Sequence, residues 1–240
     1  MDPPEFSAKS ARTPCSCLDF RPLLCLVEGL HDVEFLRRVS ANLSRDDPSL
    51  PDLCAYERTG QLVFVPFGGG GVLAWSERFA PLGMREFHLY DREIQPETAV
   101  RESAVARVNA RPGCHAVVTT KHSLENYLHP RALVLAGGPE VEFDDETCVA
   151  DCVARHQFEA MNSSADWDDL SRRTRARFAN RAKRWLNTVA VEYLSRTLLN
   201  ERDPQGELVG WLRLISRLMD RNPAGAVDSF YLVSTGVPDD

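Results

Sequence analysis

The sequence has no long apolar run. Its longest, such as Leu62 to Phe67, falls far short of the roughly 20 residues a membrane-spanning helix needs, so no membrane insertion is expected. It has no repeated CxxC pair either, and its seven cysteines are an odd number. That excludes a zinc ribbon or a disulfide scaffold and leaves reduced thiols as the simpler reading. Cys148, Cys152 and His156 recur every four residues, a spacing that shares one helix face, but no fourth zinc ligand is near. Small cysteines burying a helix face explain that pattern. An excess of positive charge is also missing. The formal net charge of −7 excludes a protein that coats nucleic acid by overall attraction, while leaving room for a local basic groove. The first 20 residues lack the apolar stretch of a secretory signal; they read as a flexible lead-in, and the cytoplasm is the expected location. Finally, no GxxxxGK[ST] loop is present. The glycine run Gly68 to Gly71 lacks the lysine and hydroxyl residue that would follow, so it reads as a tight strand-to-helix turn.

What is present is ordinary globular composition, 43% hydrophobic and 26% charged over 240 residues. Such a length fits one domain with a helical appendage. From Pro22 onward, strand-like and helix-like blocks alternate, the signature of a parallel α/β sheet. Leu23 to Glu28, Leu62 to Pro66, Glu86 to Tyr90 and His115 to Thr119 are the expected strands. Helices are expected from Val33 to Val39 and through Trp75 and Phe79. Beyond Arg131, Gly137, Gly138 and Pro139 break the chain, and helices are expected over Thr147 to Ala160, Asp168 to about Leu199, and Gly206 to Asp220. The expected division is residues 1–20 as lead-in, 21–135 as the α/β domain and 136–240 as a mostly helical region.

Ligands of parallel sheets bind beyond the carboxyl ends of the strands. Glu28 ends the first expected strand, Asp91 follows the third with Glu93 two residues on, and Glu125 follows the fourth. Asp32 lies one helical turn beyond Glu28. Each alone reads as a surface charge or, for Asp32, a helix-start residue that compensates the macrodipole. Together they form a carboxylate concentration that divalent cations would neutralise.

These residues resemble the TOPRIM domain of the overcoming-lysogenization-defect (OLD) nucleases and related phage-defence proteins. LVEGLHDVEFL (Leu26 to Leu36) resembles the first TOPRIM motif, and FHLYDRE (Phe87 to Glu93) the second, with glutamate as the second acid of the Asp-x-Asp pair. VPFGGGGV (Val65 to Val72) is similar to the glycine-rich turn of the OLD group, and TKHSLENYLHP (Thr119 to Pro130) to its later Lys and Glu-Asn-Tyr motif. The resemblance spans roughly Pro22 to Arg131. It implies a Rossmann-like parallel-sheet domain in which Glu28, Asp32, Asp91, Glu93 and Glu125 bind one or two Mg2+ or Mn2+ ions and Lys121 lies near the transferring phosphate. His122 stands where relatives often carry arginine. OLD enzymes join this module to an ATPase; here a separate ATPase subunit would have to supply that control.

The segment RRTRARFANRAKR is the strongest basic feature. Arg172, Arg173, Arg175, Arg177, Arg181, Lys183 and Arg184 are candidates for gripping nucleic-acid phosphates, against a solvated helix face partly paired with the acids from Asp166 to Asp169. The resulting expectation is a metal-dependent DNA endonuclease or nickase in defence against phage or mobile DNA. The alternatives are the same centre cutting RNA, including transfer RNA, and a non-catalytic TOPRIM binding or regulatory module.

Overall fold

The computed structural model describes residues 21–92, 96–161 and 166–220. Its centre is a four-stranded sheet of β1 (Leu23–Val27), β2 (Leu62–Pro66), β3 (Glu86–Tyr90) and β4 (Cys114–Val118), all parallel, in the order β2-β1-β3-β4. The two central strands are buried along their whole length, which is why LLCLV reads as a continuous apolar run rather than an alternating one. The edge strand β2 leaves Val63 exposed.

Period-two alternation sends the two halves of β1 into different cores. Leu23, Cys25 and Val27 join one core with α1 (Leu30–Asp46) and α2 (Leu53–Arg58). Leu24 and Leu26 join another with α3 (Val72–Glu77) and α4 (Glu97–Asn109). The sheet is therefore sandwiched between helices, a Rossmann-like α/β arrangement. Because α1 leaves β1 toward one face and α4 leaves β3 toward the other, the neighbouring strands β1 and β3 bracket the point where the winding reverses. A crevice at their carboxyl ends follows from that topology.

The remaining described elements are α5 (Pro130–Leu135), α6 (Val149–Met161), α7 (Arg172–Thr188), α8 (Arg196–Arg202) and α9 (Glu207–Met219). They share the first core: Val153, Leu186, Leu199 and Leu212 belong to the same cluster as Phe35 and Leu89. The helix expected from Asp168 to Leu199 is instead broken. Helix α7 ends at Thr188, a 3₁₀ turn covers Ala190–Tyr193, and Ser195 starts α8 by accepting the Leu198 amide at 3.3 Å. A straight helix would carry Ala190, Val191 and Leu194 past the core; the break buries all three. Strand β4 begins one residue earlier than expected, and α1 is longer than its apolar positions alone marked. No helix among the described residues is long and apolar enough to cross a membrane.

Candidate active site

Glu28 follows β1 and Asp91 follows β3, so the two stand side by side at the reversal point. The Asp91 amide donates to Glu28 Oε1 at 3.3 Å. The Gly68 amide donates to the Glu28 carbonyl at 2.8 Å, and Gly69, at φ +72°, comes close enough that an added Cβ would lie 3.6 Å from Glu28 Oε2. A side chain there would be strained by the positive φ. The glycine run is thus the turn that lets backbone approach the site.

Asp32 is both a helix-start residue and a member of the site. Its Oδ2 accepts the Gly29 amide at 2.7 Å, and its side chain is only 4% exposed. Burial raises its pKa to about 6, helped by Glu125 and Glu28 and opposed by Lys183 and the Gly29 amide. Burial also holds Asp91 well above the usual carboxylate range, with Asp32 as the next cause and Glu125 and Glu28 adding to it. Glu125 sits on the 3₁₀ turn Leu124–Tyr127 after β4 and is 2% exposed. Burial pushes its pKa up, but Lys183 and the hydrogen bonds from Asn187 and Ser123 outweigh that and hold it low. These mutual effects bring Glu28, Asp32, Asp91 and Glu125 into one electrostatic cluster. Glu93 lies outside the described residues.

Three partners of the cluster carry no signal in the strand-end pattern. Arg101 of α4 donates to Glu28 through Nε (3.0 Å to Oε1) and Nη2 (3.1 Å to Oε2). Lys183 of α7 puts its Nζ 3.5 Å from Glu125 Oε1. Although burial disfavours its charge, Glu125, Asp91 and Asp32 outweigh that and raise its pKa. Asn187, one turn further along α7, donates to Glu125 Oε1 at 2.6 Å and to the Lys183 carbonyl at 2.8 Å. Its own Oδ1 is buried without a hydrogen-bond partner. Lys183 thus turns away from the basic group in which the sequence placed it.

Lys121 is directed elsewhere. Its Nζ lies 2.6 Å from Asp145 Oδ1 and 5.5 Å from the centre of the Tyr127 ring. In the basic segment, Arg175 faces Asp168 at 3.8 Å, whereas Arg172, Arg173, Arg177, Arg181 and Arg184 form no ion pair among the described residues. Arg172, Arg173, Arg177, Arg181 and Arg184 are exposed, as on a solvated helix face, and Arg175 pairs with one of the acids. On α6, His156 Nδ1 contacts the Cys152 carbonyl of its own helix at 3.0 Å.

No protein-family model matches the chain, and no curated protein matches it. Among solved structures it is similar to the C-terminal region of the Xanthomonas campestris pv. campestris OLD protein phased with platinum. The identity is 15% and the TM-score 0.43, over 82% of this chain and 95% of that one. The same region phased with iodine gives 15% identity and a TM-score of 0.42, over 83% and 98% of the two chains. Values at this level assign no function.

Proposed function

We propose that this chain is a Mg2+- or Mn2+-dependent nuclease of TOPRIM type, with DNA nicking or endonucleolytic cleavage in defence against phage or mobile DNA as its activity. The supporting observation is that Glu28 and Asp91 stand at adjacent strand ends at the switch point of the sheet, with Asp32 and Glu125 near enough to help raise the Asp91 pKa. Buried carboxylates that repel one another are stabilised by a cation, and perturbed acids in a crevice are a functional-site signature.

The donor chemistry fits a hard divalent ion: carboxylate oxygens, plus the buried, unpartnered Oδ1 of Asn187 beside Glu125. As placed, no three His, Cys, Asp or Glu residues among the described ones stand close enough to share one ion. Glu28 is held by Arg101, so its release from that guanidinium belongs to ion binding. Glu28, Asp32, Asp91 and Glu125 would hold one or two ions, with Glu93 as a further ligand drawn from the motif. Bound metal supplies an activated water and charge stabilisation at the phosphate. The chain's own contribution is to orient the acids: the Gly29 amide fixes Asp32, the Asp91 amide holds Glu28, and Asn187 fixes Glu125. Lys183 supplies positive charge at the point where phosphate negative charge would develop. The motif gives Lys121 a place near the transferring phosphate, which it would reach only by leaving Asp145.

The test is incubation of purified protein with supercoiled plasmid, linear DNA and total RNA, in magnesium, manganese or chelator, beside Glu28→Gln and Asp91→Asn. Metal-dependent nicking that both substitutions reduce at least a hundredfold is expected. Cleavage unaffected by both sinks the assigned centre, and cleavage confined to RNA makes the chain an RNA-cutting effector. The second reading, a non-catalytic TOPRIM module, is favoured by the Arg101 clamp on Glu28 and predicts no cleavage under any condition.

A further inference from the structure

A cleft of about 490 Å³ opens between the α5–α6 connection, α6 and α7, within the size range of ligand sites. Trp185 and Phe178 form apolar wall, Arg181 lies on the same helix face, and His156 and Gln157 contribute polar groups from α6. Phe178, Arg181 and Trp185 are spaced i, i+3 and i+7, so one face of α7 carries all three. The turn that breaks the chain is shaped to the indole: a Cβ added at Gly138 would lie 2.2 Å from the Trp185 ring. A second concavity continues past Thr174 and Arg177, again against Phe178 and Arg181.

Resting on the nuclease reading, we propose that this cleft receives an unpaired base of a single-stranded nucleic acid, stacked on Trp185 and Phe178, with the adjoining phosphates on Arg177 and Arg181. Charge selects the occupant. Helix α7 has no acidic residue, and neither arginine forms an ion pair among the described residues, in a chain whose net charge is −7. An aromatic wall beside unpaired guanidinium groups matches a ligand that presents π-faces and negative charge at short intervals. The position on α7 also fits. Lys183 and Asn187, i and i+4, look toward the acids from the opposite side of the helix, and Arg177 and Arg184, i and i+7, lie on the flank between the two faces. A helix with side chains is on the order of 10 Å across, a distance a strand covers in a few nucleotides at about 3.4 Å each. A strand whose phosphate lies at the carboxylates therefore reaches the cleft across the arginine flank.

The experiment uses the full chain in chelator, so that binding is read without hydrolysis. A 5-bromouracil-substituted single-stranded DNA of about 16 nucleotides, matched to the footprint of a single-strand-binding fold, is cross-linked by ultraviolet light and the adducts are located by mass spectrometry. Adducts on Trp185 or Phe178 are expected. By fluorescence anisotropy, Arg181→Ala and Trp185→Ala each weaken single-strand binding about tenfold, Trp185→Phe by much less, and blunt duplex binding changes little. Arg181 is exposed, so its variant keeps the test valid where loss of Trp185 disturbs packing. Unchanged affinity in Arg181→Ala, or adducts confined to other surfaces, overturns the proposal. Cleft binding without metal-dependent cleavage removes the nuclease reading alone; cleavage dependent on Glu28 and Asp91 but indifferent to Arg181 removes this inference alone. Failure of the wild-type chain to bind the oligonucleotide at low salt also removes this inference alone and leaves the nuclease reading to the cleavage assay.

Discussion

Arg101 closes on Glu28 through two hydrogen bonds, one to each carboxylate oxygen, at 3.0 and 3.1 Å. The pair is largely buried, with side chains 6% and 14% exposed. Removing one partner of such a pair costs about 3–5 kcal/mol, because the other charge is left desolvated. Arg101→Gln is therefore expected to lose stability of that order in chelator. If Glu28 is a cation ligand, millimolar Mg2+ recovers part of the loss, since the ion takes over the guanidinium's role. Urea unfolding of both proteins with and without Mg2+ reads this directly. An Mg2+ increment no larger in Arg101→Gln than in wild type argues that Glu28 serves the fold and not the metal.

Lys183 does the corresponding work for Glu125, Asp91 and Asp32. Lys183→Met leaves the buried Glu125 without its cation and is expected to cost about 3–5 kcal/mol. Adding Glu125→Gln to that variant should recover much of the loss, because removing both members of a buried pair is far milder than removing one. A double-mutant cycle by chemical denaturation measures the coupling. Strictly additive losses would mean that Lys183 is stabilised by something other than these acids.

Gly138 makes a steric prediction. Leu133 O lies 3.0 Å and the Trp185 ring 2.2 Å from any Cβ built there. Gly138→Ala is expected to destabilise by about 1–3 kcal/mol, the usual cost of overpacking, and to change the emission of Trp185 as the ring is displaced. A melting curve and a fluorescence spectrum suffice; a variant with native values for both would show that the connection yields freely.

The fold and the placement of two candidate acids were legible because strand ends announce themselves: an apolar run that stops at a carboxylate put Glu28 and Asp91 at neighbouring strand ends. Arg101 was not legible. It lies on a helix with little apolar periodicity, and only the packing of α4 on the sheet directs it at Glu28. Lys183 was legible as a cation but not by its direction, since the basic residues from Arg172 to Arg184 surround the helix. Which one turns inward is decided by the face of α7 that meets α1 and the Glu125 turn. The break after Thr188 was hidden for a related reason: helix periodicity continues through Val189 and Tyr193, while burial of Ala190, Val191 and Leu194 overrides it.

A pH dependence follows from a buried ladder on β3. Glu86, His88 and Tyr90 share one strand face; His88 Nε2 lies 2.7 Å from Glu86 Oε2, and its Nδ1 lies 2.7 Å from the Tyr90 hydroxyl. Arg111 holds the other Glu86 oxygen at 2.6 Å. A neutral imidazole satisfies both neighbours, donating to Glu86 and accepting from Tyr90. Burial lowers the His88 pKa, and Glu86 does not reverse it. Burial raises Glu86, but the hydrogen bonds from His88 and Arg111 prevail and leave it low. Both folded-state values are depressed, so the unfolded chain binds more protons and stability falls with acid. For His88 the loss begins as pH drops through about 6.5, and for Glu86 through about 4.3. One histidine proton changes stability by up to about 1.4 kcal/mol per pH unit in that window. His88→Gln, which cannot titrate, is expected to be less stable than wild type at pH 8 but to show a shallower decline between pH 6.5 and 5. Equal declines in urea unfolding across that interval would place the acid sensitivity elsewhere in the molecule.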